Sequence, residues 1–215
     1  MTKQKNTVHQ LATLCLTAVF TLLLHTPGFA SAADNARPEA KHFVSLQQAE
    51  REAVLAQLQQ SLQASFATAK TQIEQQGELR PFAYVSDFQA QGRFLRLNES
   101  QVVSADTALL TLQQVIADSA VNGAIAASLL YVSASDAGAL THQLEGLLAK
   151  HQDTQGIDPQ DLRFLLVEMQ HIAGLGLLQI VPYWPSADGW TLGSPIQHTI
   201  QPQLHRLVRA HTQPG

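Results

Sequence analysis

The sequence holds one cysteine, Cys15. It follows Leu14, a residue too large for a lipoprotein-type cleavage, and sits in the middle of the apolar run from Leu11 to Leu24. Without another cysteine, the rest of the chain forms no disulfide, holds no thiolate metal site and has no thiol nucleophile. Its stability must come from a core. Positive charge is also scarce. Removing Lys3 and Lys5 leaves 11 basic residues against 17 acidic, a net charge of −6. No cluster of lysine and arginine stands out, so a nucleic-acid backbone finds no basic face here. A second long apolar run is missing too. No further segment approaches the roughly 20 apolar residues that a membrane helix needs.

What the chain does have begins with an address. Lys3 and Lys5 precede the apolar run, and Ala30-Ser31-Ala32 supplies small residues at the positions a signal peptidase reads. The expected cut lies between Ala32 and Ala33, giving a soluble protein of the periplasm or the medium. Residues 33–44 are polar and lack apolar periodicity, and read as a disordered lead. From there the sequence predicts a long amphipathic helix over 45–77, an α+β domain over 78–200 with a helical insertion at 136–156, and a tail or short helix over 201–215.

Ser45-Leu46-Gln47-Gln48 has the form of a capping box, and Gly77 suits a helix C-terminus. Between them Leu55, Leu58, Leu62, Phe66, Ala69 and Ile73 recur at spacings of three or four. That stripe would pack on the protein's own sheet; the other reading is a coiled-coil seam with a partner helix. Pro81 to Phe88 alternates and carries Phe82, Tyr84 and Phe88. With Gln89-Ala90-Gln91-Gly92 as a turn and Arg93 to Leu97 as the return, it reads as a β-hairpin. Ser104 caps a second helix whose core face is Leu109, Leu112, Val115 and Ile116, ending near Asn122-Gly123. Ala124 to Val132 is a strand. Leu140, Leu144, Leu147 and Leu148 suggest a short helix between Asp136 and Gln152.

The stretch VEMQHIAGLGLLQIVPYWP, Val167 to Pro185, admits two readings. On a helix, Glu168 and His171 would share a face and could bind a metal. Asp158, Pro159 and Asp161 would open that helix, and Leu162, Leu165, Leu166, Met169 and Ala173 would line it. On a strand, side chains three apart point to opposite faces, and the pair can ligate nothing together. Leu175 to Tyr183, rich in branched residues and holding Pro182, reads as a strand and needs a partner. Leu162 to His171, joined through Ile172-Ala173-Gly174, is the nearest.

Arg80-Pro81-Phe82-Ala83, Gly92, Ala124-Ile125-Ala126, Leu166 to His171 and Val181-Pro182-Tyr183 together resemble a pattern in small uncharacterised bacterial α+β proteins. Those carry a "PFA" strand, a "VELEH"-like strand, a glycine turn and a strand ending in "PY". Here Met169-Gln170 stands in place of the more usual Leu-Glu, and Asp136 to Gln155 looks inserted. The resemblance covers roughly Glu78 to Pro195. It implies an α+β fold with Leu162 to His171 extended, and carries no activity that could be transferred.

The expected fold is therefore α+β in the order α-β-β-α-β-β-β. It has a mainly antiparallel five-stranded sheet with helices packed on it, an order also found in roadblock- and profilin-like folds. Little in the chain points to catalysis. The seven histidines after the leader are not spaced for a zinc site. Gly193-Ser194-Pro195 lacks the pattern of a nucleophile elbow, and no phosphate-binding loop or cofactor motif is present. His198, His205 and His211 could titrate together in acid. Tyr183, Trp184 and Trp190 fall among Pro182, Pro185, Asp188 and Gly189. Exposed rings beside rigid turns suit a binding surface, although the same rings could cap an open end of the sheet. The expectation is a monomeric, non-enzymatic interaction or accessory module with an unknown protein partner. The alternative is a small-molecule binder or hydrolase with a pocket near Trp184, Trp190 and His198.

Overall fold

The computed structural model describes residues 38–97, 104–134, 154–158 and 160–212. The expected signal peptide and the expected helical insertion, apart from Thr154 to Gly156, lie outside these residues. The chain divides into two units, Met1–Ala56 and Gln57–Gly215. Within the first, the described residues form the N-terminal part of helix α1, Pro38–Gln76. Ser45 therefore lies inside this helix instead of opening it, and the expected disordered lead is helical from Pro38 onward. Proline's fixed φ and missing N–H suit a first helical turn. Glutamine, alanine, leucine and glutamate, all good helix formers, fill the element. It ends where Gly77 takes a left-handed φ of 67° and donates its N–H to the Ile73 carbonyl at 2.8 Å.

The second unit holds the rest of α1 and an antiparallel sheet. The strands are β1 (Phe82–Ser86), β2 (Gly92–Leu95), β3 (Ala127–Ala134), β4 (Arg163–His171), β5 (Leu175–Ser186), β6 (Gly189–Leu192) and β7 (Ile196–Thr199). The strand order is β2-β1-β3-β4-β5-β6, and β7 also pairs with β5. Two helices complete the fold: α2 (Ala105–Val121) and α3 (Gln203–Thr212). The expected α+β order is present, and the five expected strands are joined by β6 and β7. Ser104 caps α2 by accepting the Thr107 N–H at 3.2 Å.

Alternation along the strands defines two faces. Side chains of Phe82, Tyr84, Leu129, Tyr131, Val167, Met169 and His171 share the face that meets α1, as their register requires. Ala83, Val85 and Leu130 share the other, where they form one apolar cluster with Leu112, Ile116 and Ala120 of α2, Ile125, and Leu204 of α3. β4 and β5 are covered on both faces, which explains why they read as near-continuous apolar runs.

Two expected core faces are corrected. In α1 the fully buried positions are Leu58, Ser61, Ser65, Ala69 and Ile73, while Leu55, Leu62 and Phe66 are half-buried. Serines at the centre of the contact hydrogen-bond across it to Ser86 and Tyr131. In α2 the buried residues recur every four positions, Ala108, Leu112, Ile116 and Ala120, and Val115 is exposed.

Candidate interaction surface

Hydrogen bonds fix α1 to its face of the sheet. Ser65 Oγ lies 2.5 Å from the Tyr131 hydroxyl. Ser61 Oγ donates to Ser86 Oγ at 3.4 Å. Gln57 Nε2 donates to Ser86 Oγ at 3.2 Å and to the Asp87 carbonyl at 3.0 Å. His171 ends the seam. Its Nδ1 accepts the Ala173 N–H at 3.0 Å, so Nε2 carries the proton and donates to Gln57 Oε1 at 3.3 Å. The imidazole is thus held neutral, and burial lowers its pKa from the ordinary 6.5. Burial also pushes the Tyr131 phenol up, against the Ser65 hydrogen bond that lowers it.

Glu168 lies in the same strand as His171 but faces the other way. Burial raises its carboxyl above the usual range, opposed by a hydrogen bond from Gln170 Nε2. The same Gln170 amide accepts the Leu204 N–H at 2.7 Å, capping the start of α3. Glu168 and His171 therefore serve separate polar contacts on separate faces, as β4 in an extended conformation requires. No cluster of three metal-ligating side chains occurs among the described residues. His198 pairs with Leu178, which in turn pairs with Glu168. His198 Nε2 and Gln201 Oε1 are buried without a hydrogen-bond partner among the described residues.

The Trp-rich segment does not form one surface. Tyr183 is fully buried and hydrogen-bonds Ser133 through its hydroxyl. Trp190 stands edge-on to Tyr183, with ring centroids 5.7 Å apart. The Arg163 guanidinium lies 4.7 Å from the centre of the Trp190 ring and donates to the Gly77 carbonyl at 2.7 Å. Trp190 covers Gly77 so closely that a Cβ there would overlap the indole ring. The register Tyr183↔Leu192, Trp184↔Thr191 and Pro185↔Trp190 sends Trp184 to the opposite side. There it packs near Gly193 and Pro182. A single pocket lined by Trp184, Trp190 and His198 is not what this arrangement builds.

Exposed rings collect at the other edge of the sheet instead. In the hairpin turn, the Asp87 carboxylate accepts the N–H groups of Gln89 and Gln91, each at 2.9 Å. Ala90 takes the left-handed conformation, φ 60°. The expected turn is present, but its left-handed residue is the alanine. Gly92 makes room for a ring: Tyr84 lies across it, and a Cβ there would overlap the phenol. Tyr84 meets Phe94 edge-on at 5.0 Å, and the Arg96 guanidinium lies 4.9 Å from the Phe94 centroid. Phe94 is nonetheless 38% exposed and Phe88 60%. Among the described residues β2 pairs with β1 alone, and Gly92, Arg93 and Phe94 are all exposed. The hairpin was legible in the sequence. Phe94 as a surface residue was not, because the pattern did not reveal that β2 ends the sheet.

No helix among the described residues is long and apolar enough to cross a membrane. Compared with known proteins, the chain matches no family model, no curated protein and no solved structure.

Proposed function

We propose that this chain is an exported, non-enzymatic protein that acts as a monomer by binding another protein, and that it docks through edge strand β2. One observation carries the docking reading. β2 is exposed along most of its length, presents Phe94 to solvent and has one strand partner among the described residues. Half of an edge strand's backbone hydrogen-bonding groups face outward and can pair with an added strand. Aromatic residues and arginine are also the types enriched where binding energy concentrates. The support for export is the pattern before Ala33, two lysines, an apolar run and Ala30-Ser31-Ala32, which fits delivery to the periplasm or the medium.

Purification of the full chain from the exported fraction, beside Phe88→Ser/Phe94→Ser and Leu110→Ser, tests docking. Leu110 is exposed on α2 and controls for general loss of apolar surface. The expected result is a stoichiometric protein partner retained by wild type and Leu110→Ser and lost by the double variant. Retention by all three would refute the role of β2. Intact mass of the exported chain, starting at Ala33, tests processing.

A second reading has its own support. His198 Nε2, buried without a hydrogen-bond partner among the described residues and in line with Glu168 across β5, suits a small ligand bound on that face. The interaction reading is preferred because the polar groups there lack a nucleophile placed beside a base.

A further inference from the structure

We infer that the segment docking at β2 is an extended, acidic strand from another protein, which adds to the sheet beside β2. This rests on the docking reading above and names its partner class.

The charge at this edge differs from that of the chain. The protein as a whole carries −4, yet Arg80, Arg93 and Arg96 all flank the β1–β2 ribbon and are exposed. None of them forms an ion pair among the described residues, where Lys70 with Glu74 is the one pair present. Asp87, the one carboxylate between Phe82 and Leu95, turns its Oδ1 to the N–H groups of Gln89 and Gln91 and forms an ion pair with none of the three. Among the described residues, three exposed guanidinium groups without an ion pair therefore flank a strand that has one strand partner.

Register places Arg93, and a ring contact places Arg96. Arg93 lies opposite Val85 and Phe94 opposite Tyr84, so the two point to different faces of β2. Arg96 stands over Phe94, on that ring's face. A strand laid beside β2 would run about 4.8 Å away, with directly opposed Cβ atoms roughly 5 Å apart. Its residue beside Arg93 and its residue beside Arg96 meet a cation, whereas the one beside Phe94 meets an apolar ring. Asp or Glu at the first two and an apolar side chain at the third satisfy all three contacts.

The same charges argue against a second copy of this chain. Two β2 strands paired edge to edge would set arginine near arginine, and like charges facing each other across strands are destabilising. Charged edges commonly prevent self-pairing. Here the charge is of one sign and flanks an exposed phenylalanine, so it rejects a copy of itself and selects a partner of opposite charge.

Selection of random nine-residue peptides on the immobilised full chain tests this, with Phe94→Ser as the counter-screen and Arg93→Glu/Arg96→Glu as a parallel target. Wild type should enrich peptides with Asp or Glu at alternating or neighbouring positions around an apolar residue. Replacing those acids by lysine should weaken binding at least tenfold, and the charge-reversed chain should enrich basic peptides instead. Neutral or basic peptides that bind wild type and fail on Phe94→Ser would overturn the acidic class and leave the docking surface intact. If every enriched peptide binds Phe94→Ser as tightly as wild type, or if none is enriched, the docking surface itself is wrong.

Discussion

At the β6 edge, Trp190 lies against Tyr183, Arg163 and the left-handed Gly77. At the β2 edge, Phe94 lies against Tyr84 and Arg96, again an aromatic pair with an arginine over a ring and a glycine beneath. The difference is what stands behind each ring. Trp190 closes over the end of α1, and Arg163 ties that end down by bonding the Gly77 carbonyl. Among the described residues nothing comparable covers Phe94, and Arg96 meets the Phe82 and Phe94 rings in place of a carbonyl. The same residue types thus seal one edge and leave the other available, and their neighbours in the fold decide which.

Breaking the sealed edge should have the largest effect. Gly77→Ala places a side chain at a left-handed φ and drives a Cβ into the Trp190 ring. Overpacking of this kind costs about 1–3 kcal/mol, and the left-handed backbone adds about 1–2 kcal/mol. Trp190→Ala should cost somewhat less, about 2 kcal/mol, since the ring is half-buried and full burial of such a side chain sets the upper figure of about 3–5 kcal/mol. Urea unfolding of both variants and of the double variant checks the pair. The double should lose less than the two singles combined, because the clash vanishes with the ring. Strict additivity would mean that the ring does not seal this edge.

Gly92→Ala makes the matching change at the open edge. It also pushes a Cβ into a ring, that of Tyr84, but Tyr84 is half-buried and its ring can swing outward. The expected loss is about 1 kcal/mol, the low end for overpacking. A loss as large as that of Gly77→Ala would show that β2 is as constrained as β6.

Acid separates the edges from the middle of the sheet. The pKa of His171 is lowered by burial, so the unfolded chain takes up this proton at a higher pH than the folded chain. Its contribution is complete above pH 6.5 and is lost as the pH falls through the lower, folded value. Protonation would place a hydrogen on Nδ1, where the Ala173 N–H now bonds. His171→Gln should therefore lose less stability than wild type between pH 7.5 and 5.5. Trp190→Ala and Phe94→Ser should keep the wild-type dependence. Denaturant midpoints at the two pH values measure this, and an unchanged slope in His171→Gln would show that His171 does not set the acid response.

The sequence made much of the fold legible for physical reasons that can be named. Ser104 and Gly77 mark helix ends because capping and left-handed backbone have chemical signatures. β4 was not separable from a helix by pattern alone: Leu175 to Tyr183 needed a partner strand, but Leu162 to Ala173 also fits a helical period, and the resemblance favoured the extended form. The centre of the α1 contact was hidden because Ser61 and Ser65 are polar, and an apolar stripe passes over serines that hydrogen-bond across an interface. β6 and β7 were too short to stand out. The aromatic surface was misread for a related reason: Tyr183, Trp184 and Trp190 are close in sequence, but strand alternation divides them between faces. Phe88 and Phe94 were visible as hairpin residues, yet exposure depends on which strand lies at the edge, a property of the whole sheet order.

The smallest expected effect on stability is the one that bears most on function. Phe94→Ser should lower the unfolding free energy by no more than about 1 kcal/mol, the loss of its edge contact with Tyr84, since the ring is partly exposed. Its importance would lie in docking, and photocrosslinking tests that directly. A benzoylphenylalanine placed at position 94, and in a second chain at position 190, would be activated in cells that export the protein. Docking at β2 predicts one discrete protein adduct from position 94 and none from position 190. An adduct from position 190 and none from position 94 would contradict it.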